Sequence, residues 1–311
     1  MELLYGILIV AAVIALAVLV ICYICYRMAF YSAGETVTEE YPLPKGDIYI
    51  PYRDQLIQWL RETRAMPCER MSIRSFDGLT LRGRYYECNP GGIVELMMPG
   101  YRGLIDRDLC GGVQRAFGLG HNVLVVNQRA CGDSEGHVIS FGINERIDCL
   151  YWVREIIRQF GPEVKIILAG VSMGAATVMM AGGLELPENV VGIIADCGYD
   201  SPKNIIQKVI RTDMHLPPKL AYPFVKLAAR IFGGFDLEAA SPLEAMKVCK
   251  VPVFFTHGEA DAFVPMEMTV ACYEACNARK TFFPVPDVGH GLAYIADPQG
   301  YIDTLNQFFH G

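Results

Sequence analysis

Gly170-Val171-Ser172-Met173-Gly174, preceded by the apolar run Val164 to Ala169 and followed by Ala175, Ala176 and Thr177, decides how this chain is read. A short, continuous apolar run has the pattern of a buried parallel strand, and a helix that opens straight after a tight turn needs small residues where it crowds that strand. Strand, turn and helix in this order are the setting of a G-x-S-x-G nucleophile elbow. The serine of such an elbow is held in a strained left-handed backbone, so the residues two before and two after it must carry no side chain that would collide. Gly170 and Gly174 occupy those positions.

The 311 residues are 52% hydrophobic, enough to bury a sizeable core in one large domain or two small ones. A formal net charge of −7 excludes the basic footprint of a nucleic-acid binder. The eleven cysteines are an odd number without paired spacing, which reads as free thiols in a reducing environment rather than a disulfide framework. Cys272 and Cys276 stand one helical turn apart, half of a metal site, but no second pair of ligands is near them in sequence. Neither a metal nor a cofactor is expected.

Leu3 to Tyr26 carries no charge and is long enough to cross a bilayer. The competing reading is a cleaved signal peptide, but only Glu2 precedes the run, so the positive n-region is missing, and the run exceeds the usual h-region length. A retained transmembrane anchor over residues 1–28 is therefore expected. Arg27 after the span and nothing basic before it favour a cytoplasmic main domain. Residues 29–66 follow as a linker, proline-rich and polar from Ala33 to Pro51, and then an amphipathic helix from Tyr52 to Met66. That helix lies either on the membrane surface or, as the plainer reading has it, on the domain.

Residues 67–311 alternate strand and helix patterns. Met71 to Phe76 and Leu79 to Glu87 flank Asp77-Gly78, a two-residue hairpin signal. Strand patterns then fall at Ile93 to Met98, Asn122 to Asn127, Val164 to Ala169, Val190 to Ala195, Val251 to Thr256 and Lys280 to Val285. Helical patterns separate them near Asp108 to Gly118, Asn144 to Phe160, Met173 to Leu184 and Pro265 to Asn277, with a last helix within Leu292 to His310. This order predicts an α/β fold with a mostly parallel central sheet covered by helices on both faces. Residues 199–235 break the alternation with four prolines and no strand pattern, and read as a helical cap insertion over the site. The insertion is rich in lysine and arginine, a solvated face or a surface for anionic lipid.

A serine hydroxyl needs a base to take its proton and an acid to orient that base. In one widespread arrangement the three follow one another along the chain as serine, acid, histidine. Only His290, in Val288-Gly289-His290-Gly291, falls in a loop between the last strand and the last helix. Asp261, in the loop after the Val251 to Thr256 strand, is the better acid, with Asp196 after the preceding strand as its rival. Ser172, Asp261 and His290 each follow a strand, at the sheet edge where open α/β sheets place their sites. The developing oxyanion needs two backbone N–H donors. Met173, after the nucleophile, supplies one, and Tyr101, in Pro99-Gly100-Tyr101-Arg102-Gly103, is the candidate for the other.

From about Met71 onward the chain resembles a serine hydrolase of the α/β-hydrolase superfamily, similar to the membrane-anchored bacterial branch near the Bem46-like and acyl-peptide-hydrolase-like lineages. The residues that carry the resemblance are Ser75 to Leu79, Gly100 to Gly103, Asn127 to Ser134, Phe141 to Asp148, the elbow, and the Asp261 and His290 loops. The resemblance implies the α/β-hydrolase fold and hydrolysis of an ester, thioester or amide through an acyl-enzyme, without metal or cofactor. The expected substrate is a small-molecule or lipid acyl ester or thioester, and the expected contact is the membrane, through the N-terminal helix. The chain departs from the family in having Pro99-Gly100 where His-Gly is usual, which implies altered rigidity of the oxyanion loop. It also has Asn127-Gln128-Arg129-Ala130-Cys131-Gly132 where Asp-x-Arg-Gly-x-Gly is usual.

Overall fold

The computed structural model of the chain describes residues 1–34, 40, 41, 43, 44 and 46–310. Part of the expected linker, residues 35–39, 42 and 45, lies outside the described residues.

The chain opens with the long helix α1 (Glu2–Ala29), followed by a 3-10 turn (Asp47–Tyr52) and α2 (Arg53–Ala65). Next come β1 (Glu69–Arg74), β2 (Thr80–Tyr86), β3 (Val94–Met98), α3 (Ile105–Gly118), β4 (Asn122–Val126), α4 (Glu145–Phe160), β5 (Ile166–Val171), α5 (Met173–Ala181) and β6 (Val190–Asp196). The insertion holds α6 (Pro202–Thr212) and α7 (Pro218–Ala228), the latter running into a π-helical stretch (Ala229–Gly233). The remainder is α8 (Pro242–Val248), β7 (Val253–Gly258), α9 (Met266–Ala275), β8 (Lys280–Val285), α10 (Ala293–Ala296) and α11 (Pro298–His310).

The strands form one eight-stranded sheet in the order β1-β2-β4-β3-β5-β6-β7-β8. β2 is antiparallel to both neighbours and the other pairs are parallel. β3 and β4 are buried on both faces, as their unbroken apolar runs require. Alternate residues feed two cores: Leu96, Leu124 and Leu168 meet α4 and α5 on one face, while Met97, Val125 and Ile167 meet α3 and α11 on the other. The parallel crossovers bring the carboxyl ends of β3, β5, β6, β7 and β8 to one edge, and the site lies there.

Several local expectations are corrected. The β1–β2 register pairs Arg74 with Thr80, and the Ser75 N–H donates to Leu79 O, so the turn spans three residues, with Gly78 at φ +88°. The last helix is broken in two at Asp297-Pro298, where proline cannot extend the ladder behind it. The pattern predicted no helix at α8, which is only seven residues long.

α2 packs on the domain. Leu56, Leu60 and Thr63 are buried, and Leu60 joins Cys110 of α3 in a small core. α1 leaves most of its length exposed, but a stripe of Val18, Cys22, Cys25, Tyr26 and Ala29 packs into a core shared with the insertion. Residues four, three, one and three apart lie on one helical side. Phe30 is fully buried against Phe141 and Phe235, and the backbone of Phe30 and Ser32 bonds to Ile139 and His137.

Candidate active site

Ser172 caps α5 with φ 57° and ψ −119°, the strained left-handed turn expected of an elbow. Its N–H donates to Asp196 O at 2.8 Å, which ties the turn to β6. A Cβ on Gly170 would run into the backbone of Gly174, and one on Gly174 into the Met98 carbonyl, so glycine is required at both positions.

His290 stands in the loop after β8, and its Nδ1 lies 2.6 Å from Asp261 Oδ2. Asp261 follows β7, and its other oxygen accepts from the Phe263 and Val264 N–H groups at 2.8 and 2.9 Å. A second histidine, His257, places Nε2 3.1 Å from Asp261 Oδ2 and 2.9 Å from the Val264 carbonyl, while its Nδ1 meets Thr269 Oγ1 at 2.8 Å. Burial alone would push the Asp261 carboxyl up, but hydrogen bonds from His257, His290 and the Val264 N–H outweigh it and hold the group well below the ordinary carboxylate range. From the sequence alone, His257 has no assigned role. Its place four residues ahead of Asp261, at the end of the same strand, is the signal for its contact with the acid.

Asp196, the rival acid, ends β6 but is not the carboxylate bonded to His290. Its Oδ1 is buried without a hydrogen-bond partner among the described residues, and burial pushes its carboxyl up to about 6 against the nearby histidines. Cys197 beside it sits 4.0 Å from His290 Nε2, and burial pushes its thiol far above the ordinary value, so it stays protonated. Ser172 Oγ makes no hydrogen bond to His290 here. Such bonds commonly tighten only when substrate binds.

The loop of Pro99 to Gly103 lies against the elbow, so near that a Cβ on Gly100 would come 3.6 Å from Ser172 Cβ. Gln128 holds the loop by donating to the Pro99 carbonyl at 2.7 Å, its own carbonyl oxygen accepting from Thr177 of α5. The far side of the loop is tied to the end of α1. Tyr101 Oη donates to Ala29 O at 3.0 Å, and Arg102, at φ 51°, donates to the Met28 and Tyr31 carbonyls at 3.2 and 2.8 Å. The Met28 and Ala29 carbonyls are among those a helix end leaves without intrahelical partners.

Ser172, Tyr101 and His290 open on one cavity of about 610 Å³, the size of a small-molecule site. Its walls are mostly apolar, with Leu109, Tyr294 and Ile295 among them, and Leu43, Pro44, Ile48, Tyr49, Leu56 and Trp59 form its roof. Tyr49 in that roof donates to the His290 carbonyl at 3.0 Å. The insertion approaches the site through Lys208 of α6, which sits over the ring of Phe263, a residue of the cavity lining that stands edge-on to His290. Four of its basic residues are paired, Lys203 and Lys226 with Glu238, Lys208 with Asp213 and Arg230 with Asp236. Among the described residues the one cluster with metal-ligand character is Cys197, Asp261 and His290, and Cys272 and Cys276 lie apart from it in the core.

Comparison with known proteins agrees with the topology. The model of the α/β hydrolase fold family matches residues 96–251, about half of the chain. The chain is 26% identical over 190 residues to the uncharacterized protein YqkD of Bacillus subtilis, covering 61% of this chain and 62% of that one. It is also 26% identical over 193 residues to protein bem46 of Schizosaccharomyces pombe, covering 58% of that protein. The match thus spans about three fifths of the length of these relatives. Among solved structures, the Pyrococcus furiosus esterase Pf2001 superposes with a TM-score of 0.64 at 20% identity, over 86% of this chain and 95% of that one. The Pyrococcus horikoshii acylaminoacyl peptidase gives 0.55 at 15% identity, over 80% of this chain and 42% of that one. Sheet order, elbow backbone and family match converge, and the chain belongs to the α/β-hydrolase fold family.

Proposed function

We propose that the protein is a membrane-anchored serine hydrolase that cleaves carboxylic ester or acyl thioester bonds through an acyl-enzyme. The observation that carries this reading is the strained Ser172 facing the same cavity as His290, whose Nδ1 is held by Asp261 at 2.6 Å.

In this reading Ser172 Oγ attacks the acyl carbon as its proton passes to His290 Nε2, and Asp261 holds the ring and stabilises the imidazolium. The carbonyl electron pair moves onto oxygen, where the Met173 and Tyr101 N–H groups receive it. The tetrahedral species collapses by breaking the C–O or C–S bond, and His290 returns its proton to the leaving group. Water then repeats the cycle on the acyl-enzyme and frees the acid. The apolar cavity suits an acyl chain. Retention of α1 as an anchor is supported by its docking, since a cleaved leader would have no reason to bury Cys22 and Phe30 among the residues of the insertion. Arg27 after the span favours a cytoplasmic domain.

The test is labelling of the detergent-solubilised protein with a fluorophosphonate. Labelling of the native chain and none of Ser172→Ala is the expected result. An unlabelled native chain would instead favour a silent, ligand-binding member of the family.

A further inference from the structure

We propose that the insertion is a second membrane contact: helix α7 lies in the same leaflet as the domain end of α1. The inference rests on the reading of α1 as a retained span.

Glu2 and Arg27 bound an uncharged run from Leu3 to Tyr26. A hydrocarbon core of about 30 Å takes roughly 20 residues at about 1.5 Å each, so a span that begins at Leu3 ends near Cys22. The stripe that packs on the insertion already begins at Val18. The last turn of the span is thus covered by protein on one side while Leu19 and Ile21 remain exposed on the other. Tyr23, Tyr31 and Arg27, whose guanidinium lies over the Tyr31 ring at 4.0 Å, follow at the level where aromatic and basic residues mark a membrane interface.

The pairing of rings fixes the direction of the insertion. Phe235 meets Phe30, and Phe232 meets both Tyr26 and Tyr23, so the two segments run the same way. Going back along the chain from Phe232 into α7 therefore leads toward the lipid-spanning half of α1. The outward side of this element is apolar: Leu220 is 70% exposed, Leu227 37% and Ile231 47%, at spacings of seven and four that share one helical side. Leu216 and Met214, in the turn before α7, are exposed as well. A soluble surface seldom presents such a continuous apolar row beside a span, whereas a leaflet covers it at no cost. The internal pairing of Lys226 with Glu238 and of Arg230 with Asp236 removes net charge from the same surface.

The depth of the insertion is locked to that of α1. Phe30 is buried, and the Met28, Ala29 and Tyr31 carbonyls are held by Arg102 and Tyr101, so the helix end does not slide against the domain. Through Lys208 and Phe263 the insertion also borders the catalytic histidine.

The full-length chain in nanodiscs whose lipids carry brominated acyl chains tests this. Tryptophan emission of Leu220→Trp is compared with that of Val248→Trp, which sits on the exposed end of α8 ahead of β7, with the signal of native Trp59 and Trp152 subtracted. The expected result is quenching of Leu220→Trp by about twofold or more and none of Val248→Trp. Equal quenching of the two, or none in either, overturns the proposal. Fluorophosphonate labelling of the same samples separates the readings: labelled but unquenched protein overturns only the leaflet contact, and quenched but unlabelled protein only the hydrolase assignment.

Discussion

A carboxylate that orients a histidine must itself be oriented, and Asp261 is fixed on both oxygens, by two N–H groups on one and two histidines on the other. Asp261→Asn keeps the size but loses the charge that stabilises an imidazolium. Its expected cost is a fall in kcat of about 10² to 10⁴ on a soluble ester, whereas Asp196→Asn should stay within about threefold. Equal losses would reassign the acid. Asp196 should instead show itself in stability. In the unfolded chain it releases its proton near pH 4, but in the fold, pushed up to about 6, it keeps that proton longer. Its effect on stability is nil below pH 4, grows unfavourable between pH 4 and 6, where the unfolded chain has released a proton that the fold retains, and stays constant above 6. Asp196→Asn should therefore stabilise the fold by up to about 3 kcal/mol at pH 8 and hardly at all at pH 4, read from thermal unfolding by circular dichroism in detergent. The phenol of Tyr101 makes a different prediction. Tyr101→Phe leaves the backbone donor in place but frees the loop from Ala29. It should lower kcat by about threefold to tenfold with KM little changed and cost no more than about 1 kcal/mol of stability.

The elements explain what could be read from the chain. Strands buried on both faces announce themselves as apolar runs, so β3, β4, β5 and β7 are legible, as is the half-buried edge strand β8 from its Phe282-Phe283 pair, and with them the loops carrying Ser172, Asp261 and His290. What escaped depends on contacts between distant segments. α8 is too short for a period to emerge, and the three-residue turn before β2 follows from a left-handed Gly78 and the Ser75 hydroxyl bonding to the Leu79 N–H. The roof of the cavity was invisible for the same reason. Tyr49 and Trp59 have a role only once α2 lies on α3 and Tyr49 reaches the His290 loop. Trp59 stacks on Tyr294 at 5.4 Å and lines the cavity. Trp59→Ala should lengthen the apolar wall and move the preferred acyl chain of a p-nitrophenyl ester series upward by about two carbons or more, a methylene in an apolar pocket being worth about 1 kcal/mol. An unchanged preference would mean that the chain lies elsewhere. Leu60, fully buried beneath the same helix, should cost about 2 to 5 kcal/mol on truncation to alanine.

At the scale of the whole molecule, α1 is joined to the domain in a way a simple tether is not. A tether needs a flexible connection and leaves the domain surface unaltered by its removal. Here the final turns of the helix fill an apolar core with the insertion, and its last carbonyls accept from the loop that lies against Ser172. Removing residues 1–31 would uncover Phe141, Phe232 and Phe235 and strip Tyr101 and Arg102 of their partners at one stroke. The truncated chain should therefore bind a hydrophobic dye such as anilinonaphthalene sulfonate more strongly than the full chain. It should also lose about tenfold or more in kcat/KM on a short, water-soluble ester, a substrate for which proximity to lipid is irrelevant. A tether-only role predicts the opposite pair of results, an unchanged rate on the soluble ester and a loss confined to substrates carried in vesicles. Arg102→Met in the full-length chain separates the two contributions. It keeps the apolar core and the anchor but removes the donors to Met28 and Tyr31, so a fall in rate without added dye binding would place the effect in the loop rather than in the exposed core.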